Sequence, residues 1–471
     1  MSKKIYYFSF LLLITLFVFF KWEHLFLPYY WDEAWVYGPA IRMMQEHGIS
    51  LSPNALPTYY SRGHPLLFHC FGAVWINLFG TSLFSTHCFA LSISAILLFL
   101  IFLFCKRNFS SEVAISAVLI VIAQPIFLAQ SALVLPEMLL SVFILSSLFF
   151  YIENKNIFYW ITAACAVITK ESAVVIFISL SIFELIVFLK SENKNILFLI
   201  KRITVICSPS IVLFVFLLWQ KNIHGWFFFD KHIGAISFDS TTVWNKLENY
   251  FSYLFIYQSR NVISASVIIT AILFFYKKLN RNTVSENKII LLFTLFIAFF
   301  LLFCSINFFS NRYVLCLIPP LAIIASWLIH TTIKKFILQT VFVAIIFSAS
   351  LYHSLNKKSS SDHNLGYVEV IKSYQETVDF MIENKLSDKK IYAFFLMKES
   401  LTNPYSGYLN EKKQFTQVGN AEENAYEYFI FSNTEGEEDA EKIKQKTALT
   451  LIKRFENKHS QVEIYSRTLK N

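Results

Sequence analysis

Long apolar runs separated by short basic loops constrain this chain more than any other feature. The run from Leu83 to Cys105 contains no Asp, Glu, Lys or Arg, and Lys106 and Arg107 follow it at once. A stretch of about 20 apolar residues can cross the hydrocarbon core of a bilayer. Only 15% of all residues are charged, against about a quarter in soluble proteins. The sequence therefore predicts an all-α polytopic membrane protein and excludes a soluble globule.

The basic loops also predict the topology. Lys3 and Lys4 precede an apolar run from Ile5 to Phe20 that no small-x-small cleavage pattern follows, so we expect a retained signal-anchor helix with a cytoplasmic N-terminus. The segment 65–80 is too short to span a bilayer, and we interpret it as a buried or partly inserted helix. Alternating the remaining runs then places every short basic loop in the cytoplasm, which predicts about 11 transmembrane helices and an external C-terminus.

Two domains are predicted. Residues 1–353 form the transmembrane domain, and its first external loop, 23–82, carries short surface helices. From residue 354 to 471 no apolar run is long enough to span a bilayer. Apolar residues at helical spacing predict one helix there, and 390–397, 426–432 and 461–467 have the pattern of short strands. We therefore expect a small extracytoplasmic α/β or α+β domain, with its helix face formed by Ile371, Tyr374, Val378 and Met381.

The charge balance gives no indication of nucleic-acid binding, and the cysteines give none of disulfides or a zinc site. The net charge of +9 does not require nucleic acid, because the excess basic residues lie in the short loops that set topology. The seven cysteines include no Cys-x-x-Cys pair, so the sequence predicts neither a disulfide framework nor a zinc site. No metal ligand and no cofactor is assigned, although a requirement for a divalent metal stays open.

Acidic and cationic residues outside the apolar cores collect on the predicted external face. Carboxylates and several cations at one lipid–water boundary suit the transfer of a group from a phosphate carrier, since a base can activate an acceptor hydroxyl while cations stabilise the leaving phosphate. The residues are Asp32, Glu33, Arg62, His64, Glu137, Lys170, Glu171 and Arg312. The alternative is a purely structural role, in which each of them caps a helix or anchors a loop.

The order of several short motifs resembles the GT-C glycosyltransferases, most closely the protein O-mannosyltransferase and aminoarabinose-transferase group. The resemblance covers residues 1 to about 350. The motifs are Trp31-Asp32-Glu33-Ala34-Trp35, Gly63-His64-Pro65-Leu66 with Leu78-Phe79-Gly80, Leu135-Pro136-Glu137, Ile168-Thr169-Lys170-Glu171 and the run from Asn311 to Pro319.

The resemblance implies a role for each matching residue. Asp32 matches the catalytic aspartate of the first external loop, and Glu33 is a second candidate beside it. Glu137 matches an acidic residue of the next external loop, normally an aspartate, and is the third catalytic candidate, expected to help orient the acceptor or the donor. Lys170 and Arg312 match residues that bind the carrier phosphate, and Arg62 or His64 near the pre-helix proline are further candidates.

The resemblance implies a polyprenyl-phosphate-linked sugar as donor and an inverting displacement. The predicted topology places the acceptor, a glycan, lipid or protein, on the extracytoplasmic face, and the Lys-, Asn-, Ile- and Phe-rich composition suggests a bacterial inner membrane. Two departures concern the phosphate. Trp35 stands where the aminoarabinose enzymes have an arginine, and Gly63-His64-Pro65 replaces Lys-Pro-Pro. A transporter or flippase of lipid-linked glycans and an inactive scaffold remain as alternatives.

Overall fold

The structure is a computed structural model that describes residues 3–192, 194–276, 284–356, 361–409, 415–419, 426–435, 437–446 and 448–467. The chain is mostly helical and ends in a small sheet. Before residue 356 the helices are α1 (Lys3–Lys21), α2 (Gly38–His47), α3 (Thr58–Ser61), α4 (Leu67–Phe79), α5 (Leu83–Asn108), α6 (Ser111–Ile122), α7 (Pro125–Gln130), α8 (Pro136–Ile152), α9 (Asn156–Thr169), α10 (Val175–Lys190), α11 (Ile196–Cys207), α12 (Ser210–His224), α13 (Asp230–Ile233), α14 (Ser240–Phe255), α15 (Arg260–Tyr276), α16 (Val284–Ile306), α17 (Ile318–Thr332) and α18 (Phe336–Leu355).

The protein is an integral membrane protein. In the described part of the chain, six helical stretches are long and apolar enough to cross a bilayer, and two bent helix pairs, α11 with α12 and α14 with α15, raise the number to eight. The predicted count of eleven is not confirmed, because α4, α6, α8 and α9 have only 12 to 17 residues. Helix α4 is one of these, as its short apolar run predicted.

Several polar side chains lie at helix ends, next to short helices and breaks between helices. Pro125 begins α7 after a break that follows α6, and Pro136 begins α8. Proline is favoured in the first turn of a helix, where its missing N–H costs no hydrogen bond. A 3₁₀ turn, Glu171–Val174, precedes α10, and another, Asn311–Leu317, precedes α17. Glu137, Lys170 and Arg312 lie at these helix ends.

The remaining elements are α19 (Tyr367–Glu383), β1 (Ile391–Ala393), α20 (Phe395–Thr402), β2 (Val418–Gly419), β3 (Tyr428–Ser432), α21 (Glu437–Lys446), β4 (Leu449–Asn457) and β5 (Ser460–Arg467). The sheet has the order β2-β1-β3-β5-β4. Strand β1 is parallel to both of its neighbours, and the β3–β5 and β5–β4 pairs are antiparallel. The four apolar residues predicted to form the buried face of α19 are all inaccessible to solvent.

The strand predictions succeed in part. β3 and β5 lie where the pattern placed them, but only three residues of the predicted strand 390–397 form β1, since α20 begins at Phe395. β4 was not predicted, because most of its side chains are exposed and show no alternation of buried and exposed positions. The predicted domain boundary near residue 353 falls two residues before the end of α18.

Candidate active site

The loop after α1 has an unusual backbone where it presents Asp32. Trp31 has φ of +51°, a left-handed conformation that bulky residues rarely adopt. A π-helical turn, Glu33–Tyr37, follows directly, and such turns frequently occur at functional sites. Gly38 ends the turn, where a Cβ would lie 2.4 Å from the Tyr29 ring. With this backbone, the adjacent carboxylates of Asp32 and Glu33 point in different directions.

Asp32 faces a cation and an indole. Its Oδ2 lies 2.6 Å from Nη2 of Arg312, and its Oδ1 accepts a hydrogen bond of 3.0 Å from Nε1 of Trp35. The side chain is 15% exposed, so it is largely enclosed and yet still reachable from solvent. A positioned carboxylate with this access has the geometry that a general base needs.

Arg312 is the centre of the cluster. Besides Asp32, it contacts Asp362, whose Oδ2 accepts a bond of 3.1 Å from Nη1. Its Nε lies 3.2 Å from Oε1 of Glu137. This contact is an ion pair without a hydrogen bond. One guanidinium thus faces three carboxylates from three chain segments.

Glu137 is completely buried and is paired with a second cation. Nζ of Lys170 donates to its Oε1 at 2.7 Å and lies 3.9 Å from the centre of the Tyr313 ring. Burial alone would lower the pKa of Lys170, but Glu137 and Tyr313 outweigh this effect and raise the pKa above its ordinary value. Lys170 therefore remains charged at neutral pH.

Asp362 was not predicted as a site residue. It lies between α18 and α19, in a polar segment that offers no periodic pattern and no motif. Burial alone would raise its pKa, but the hydrogen bond with His363 and the charge of Arg312 lower it below the usual value. Asp362 is therefore ionised at neutral pH. Its proximity to the end of the last apolar run was the one available signal.

We define the carboxylate–cation cluster as Asp32, Glu137, Lys170, Arg312 and Asp362. Three carboxylates and two cations leave one negative charge in excess. Buried ions are stable only when they are paired, and Oε2 of Glu137 has no hydrogen-bond partner among the described residues. Within that part of the chain, no group of three or more His, Cys, Asp or Glu side chains is arranged to hold a metal ion.

Glu33 does not join the cluster. Its Oε1 accepts hydrogen bonds from the Val134 backbone N–H at 2.7 Å and contacts Nε2 of His87 at 3.0 Å, while Oε2 accepts from the Tyr30 N–H at 3.1 Å. The side chain is inaccessible to solvent. These contacts tie the loop between α1 and α2 to α5 and to the segment that precedes α8.

Arg62 and His64 also lie beside the cluster rather than within it. The Arg62 guanidinium lies 4.0 Å from the centre of the Trp35 ring, a cation–π contact. Nδ1 of His64 lies 2.9 Å from Oε2 of Glu171, and its ring packs on that of His232 at 4.6 Å. Together with Lys170, His64 lines a small cavity.

No protein-family model matches the sequence, and no curated protein matches it. The fold is similar to that of ArnT from Cupriavidus metallidurans. The structure of ArnT bound to undecaprenyl phosphate has a TM-score of 0.58 and 12% identity, with 98% of each chain covered. The apo structure has a TM-score of 0.54 and 12% identity, with 96% of this chain and 97% of ArnT covered. ArnT is an aminoarabinose transferase of the GT-C type, so the predicted resemblance in fold is confirmed.

Proposed function

We propose that the chain is a membrane glycosyltransferase that moves a sugar from a polyprenyl-phosphate-linked donor to an acceptor on the extracytoplasmic face by an inverting displacement. The observation that carries the proposal is the contact of the accessible Asp32 carboxylate with Arg312, beside the Lys170–Glu137 pair. A base and two cations at one site match the needs of such a transfer. The likeness in fold to ArnT, which is seen bound to undecaprenyl phosphate, supports the choice of donor.

In the proposed reaction Asp32 takes the proton of the acceptor hydroxyl. The acceptor oxygen forms a bond to the anomeric carbon as the bond from that carbon to the phosphate oxygen breaks, and the electron pair leaves with the lipid phosphate. Arg312 and Lys170 stabilise the negative charge that develops there. An approach opposite to the leaving phosphate inverts the anomeric configuration.

Glu137 and Glu33 have positioning roles in this proposal. Glu137 is buried beneath both cations, so it holds them in place and keeps them charged without touching the acceptor. Glu33 anchors the loop that carries Asp32. Residues 1–353 form the GT-C-like transmembrane domain and residues 354–471 the extracytoplasmic domain, with the N-terminus in the cytoplasm of a bacterial cell.

The test compares the envelope glycans of cells that lack the protein with those of cells that express wild-type protein, Asp32→Asn or Asp388→Asn. Asp388 is an exposed acid in the turn after α19 and serves as the matched control. Mass spectrometry of glycolipids and surface glycans is expected to show a sugar that is lost with the gene and with Asp32→Asn but is retained with Asp388→Asn. An unchanged glycan profile with Asp32→Asn, at equal protein levels in the membrane, contradicts the proposal.

A further inference from the structure

Four aromatic rings beside Asp32 are linked by edge-to-face contacts. Phe395 contacts Trp35 at 4.9 Å and Trp31 at 6.1 Å between ring centres, and Trp35 contacts Tyr59 at 5.5 Å. We call Trp31, Trp35, Tyr59 and Phe395 the aromatic platform. Tyr59 is 55% exposed and Phe395 is 37% exposed, while the two indoles are half-buried.

The aromatic platform is joined directly to the proposed base. Nε1 of Trp35 donates to Oδ1 of Asp32, and Trp31 precedes Asp32 in the chain. The two oxygens of one carboxylate therefore face different surroundings, since Oδ2 contacts Arg312 and Oδ1 contacts the platform. When the cations hold the donor phosphate, the side of Asp32 that contacts the aromatic platform remains open to the acceptor.

Both parts of the chain build the aromatic platform. Phe395 is the first residue of α20, which follows β1, and the other three rings belong to the first external loop. Two hydrogen bonds fix this contact, from Nδ2 of Asn403 to the Ala34 carbonyl at 3.1 Å and from the Tyr29 N–H to the Ser406 carbonyl at 2.8 Å. Phe395 is thus placed beside Asp32 by the fold of the C-terminal part.

The surroundings of the aromatic platform match a saccharide better than a lipid tail. Arg62 lies over the Trp35 ring, and Lys398 and Glu399 follow Phe395 on α20. A sugar ring has an apolar C–H face and a polar edge of hydroxyl groups, so an aromatic surface beside charged side chains complements both. By contrast, lipid-facing helices such as α1 expose rows of Phe and Leu side chains.

We propose that the aromatic platform binds the acceptor and that this acceptor is a saccharide. This inference rests on the proposed function. The C–H face of the acceptor sugar lies on Phe395 and Tyr59, and its nucleophilic hydroxyl reaches Asp32. The proton passes from that hydroxyl to the Asp32 carboxylate as the new glycosidic bond forms and the bond to the donor phosphate breaks.

The test uses Phe395→Leu and Tyr59→Leu in cells that lack the native protein. Leucine keeps an apolar side chain for packing but removes the ring. Phe238→Ala is the control, because Phe238 is 82% exposed and has no ring contact with the aromatic platform. Linkage analysis of the sugar that Asp32→Asn removes is expected to find it attached to another sugar. Both leucine variants are expected to lower the yield about tenfold, the effect of roughly one good ring contact, and to accumulate the unmodified acceptor glycan.

Two outcomes overturn the inference while leaving the proposed function intact. In one, the lost sugar is attached to an amino-acid side chain or a lipid headgroup. In the other, the leucine variants make as much product as Phe238→Ala at equal protein levels. A complete set of glycans in the Asp32→Asn strain refutes the proposed function, and the platform's role fails with it.

Discussion

Replacing Asp362 by Asn is expected to tighten the binding of a lipid phosphate. The Asp362 carboxylate occupies Nη1 of Arg312 at 3.1 Å, a position where a phosphate oxygen would bind. Asp32 and Glu137 face the other two guanidinium nitrogens. Asp362 lies between α18 and α19. Since Asp32 is the proposed base and Glu137 is completely buried, Asp362 is the carboxylate that we expect an incoming anion to displace.

The magnitude follows from the contact that is lost. At 3.1 Å and an effective dielectric constant of about 20, the gross attraction between the two charges is about 5 kcal/mol. Most of this is offset by solvation, and a hydrogen bond between charged groups contributes about 1.5–3 kcal/mol net. A phosphate that no longer competes with this bond is expected to bind about ten- to a hundredfold more tightly.

The assay measures binding of undecaprenyl phosphate to the full-length protein in nanodiscs by native mass spectrometry. Wild type, Asp362→Asn and Asp362→Ala are compared with Asp388→Asn, the exposed control. Both Asp362 variants are expected to lower the Kd for the lipid phosphate, the alanine variant at least as much as the asparagine variant. Unchanged or weaker binding in both variants, with thermal stability equal to that of the control, refutes the idea that Asp362 competes with phosphate.

Three further predictions concern residues around the cluster. Glu33→Gln is expected to lower the free energy of unfolding by about 1.5–3 kcal/mol, since it loses charge-assisted hydrogen bonds, and to retain activity per folded molecule; full thermal stability with lost activity would contradict the anchoring role. Arg312→Lys is expected to lower kcat tenfold or more, because one ammonium cannot meet three carboxylates and a phosphate; wild-type kcat in a membrane transfer assay would contradict this. Burial and the neighbouring His64 lower the pKa of His232 to about 4 in the folded protein. As the pH falls, the unfolded chain therefore binds a proton at this residue before the folded protein does. Stability is therefore expected to fall between about pH 6.5 and 4, and a His232→Gln variant with an equally steep fall in thermal melts would contradict the assignment.

The sequence could predict the gathering of Asp32, Glu137, Lys170 and Arg312, because each lies in a polar segment outside the long apolar runs, on the same predicted face. Alternation of the spans brings these segments to one face. The predicted positions depend on charge and run length alone, which are local properties of the sequence. Their catalytic and phosphate-binding roles remain predictions.

Contacts between distant segments could not be predicted in the same way. Asp362 contacts Arg312 across 50 positions of the chain, and nothing in its local sequence pattern specifies that contact. The distinction between Asp32 and Glu33 depends on the left-handed Trp31 and the π turn that follows it. The sequence shows only that Trp35 stands where the aminoarabinose enzymes have an arginine. Its hydrogen bond to Asp32 and its contact with Arg62 are features of the three-dimensional structure.

The hydrogen bond between Asn403 and Ala34 also has a consequence for biosynthesis. The two residues are separated by 369 positions in the chain. At about 5 to 20 residues per second, a ribosome needs roughly 20 to 70 seconds to make the interval. For most of that time the loop that carries Asp32 has been translated, but neither Asp362 nor Phe395 has been added to complete its surroundings. The surroundings of Asp32 are therefore complete only near the end of translation, and a chain truncated before residue 362 lacks both of these residues.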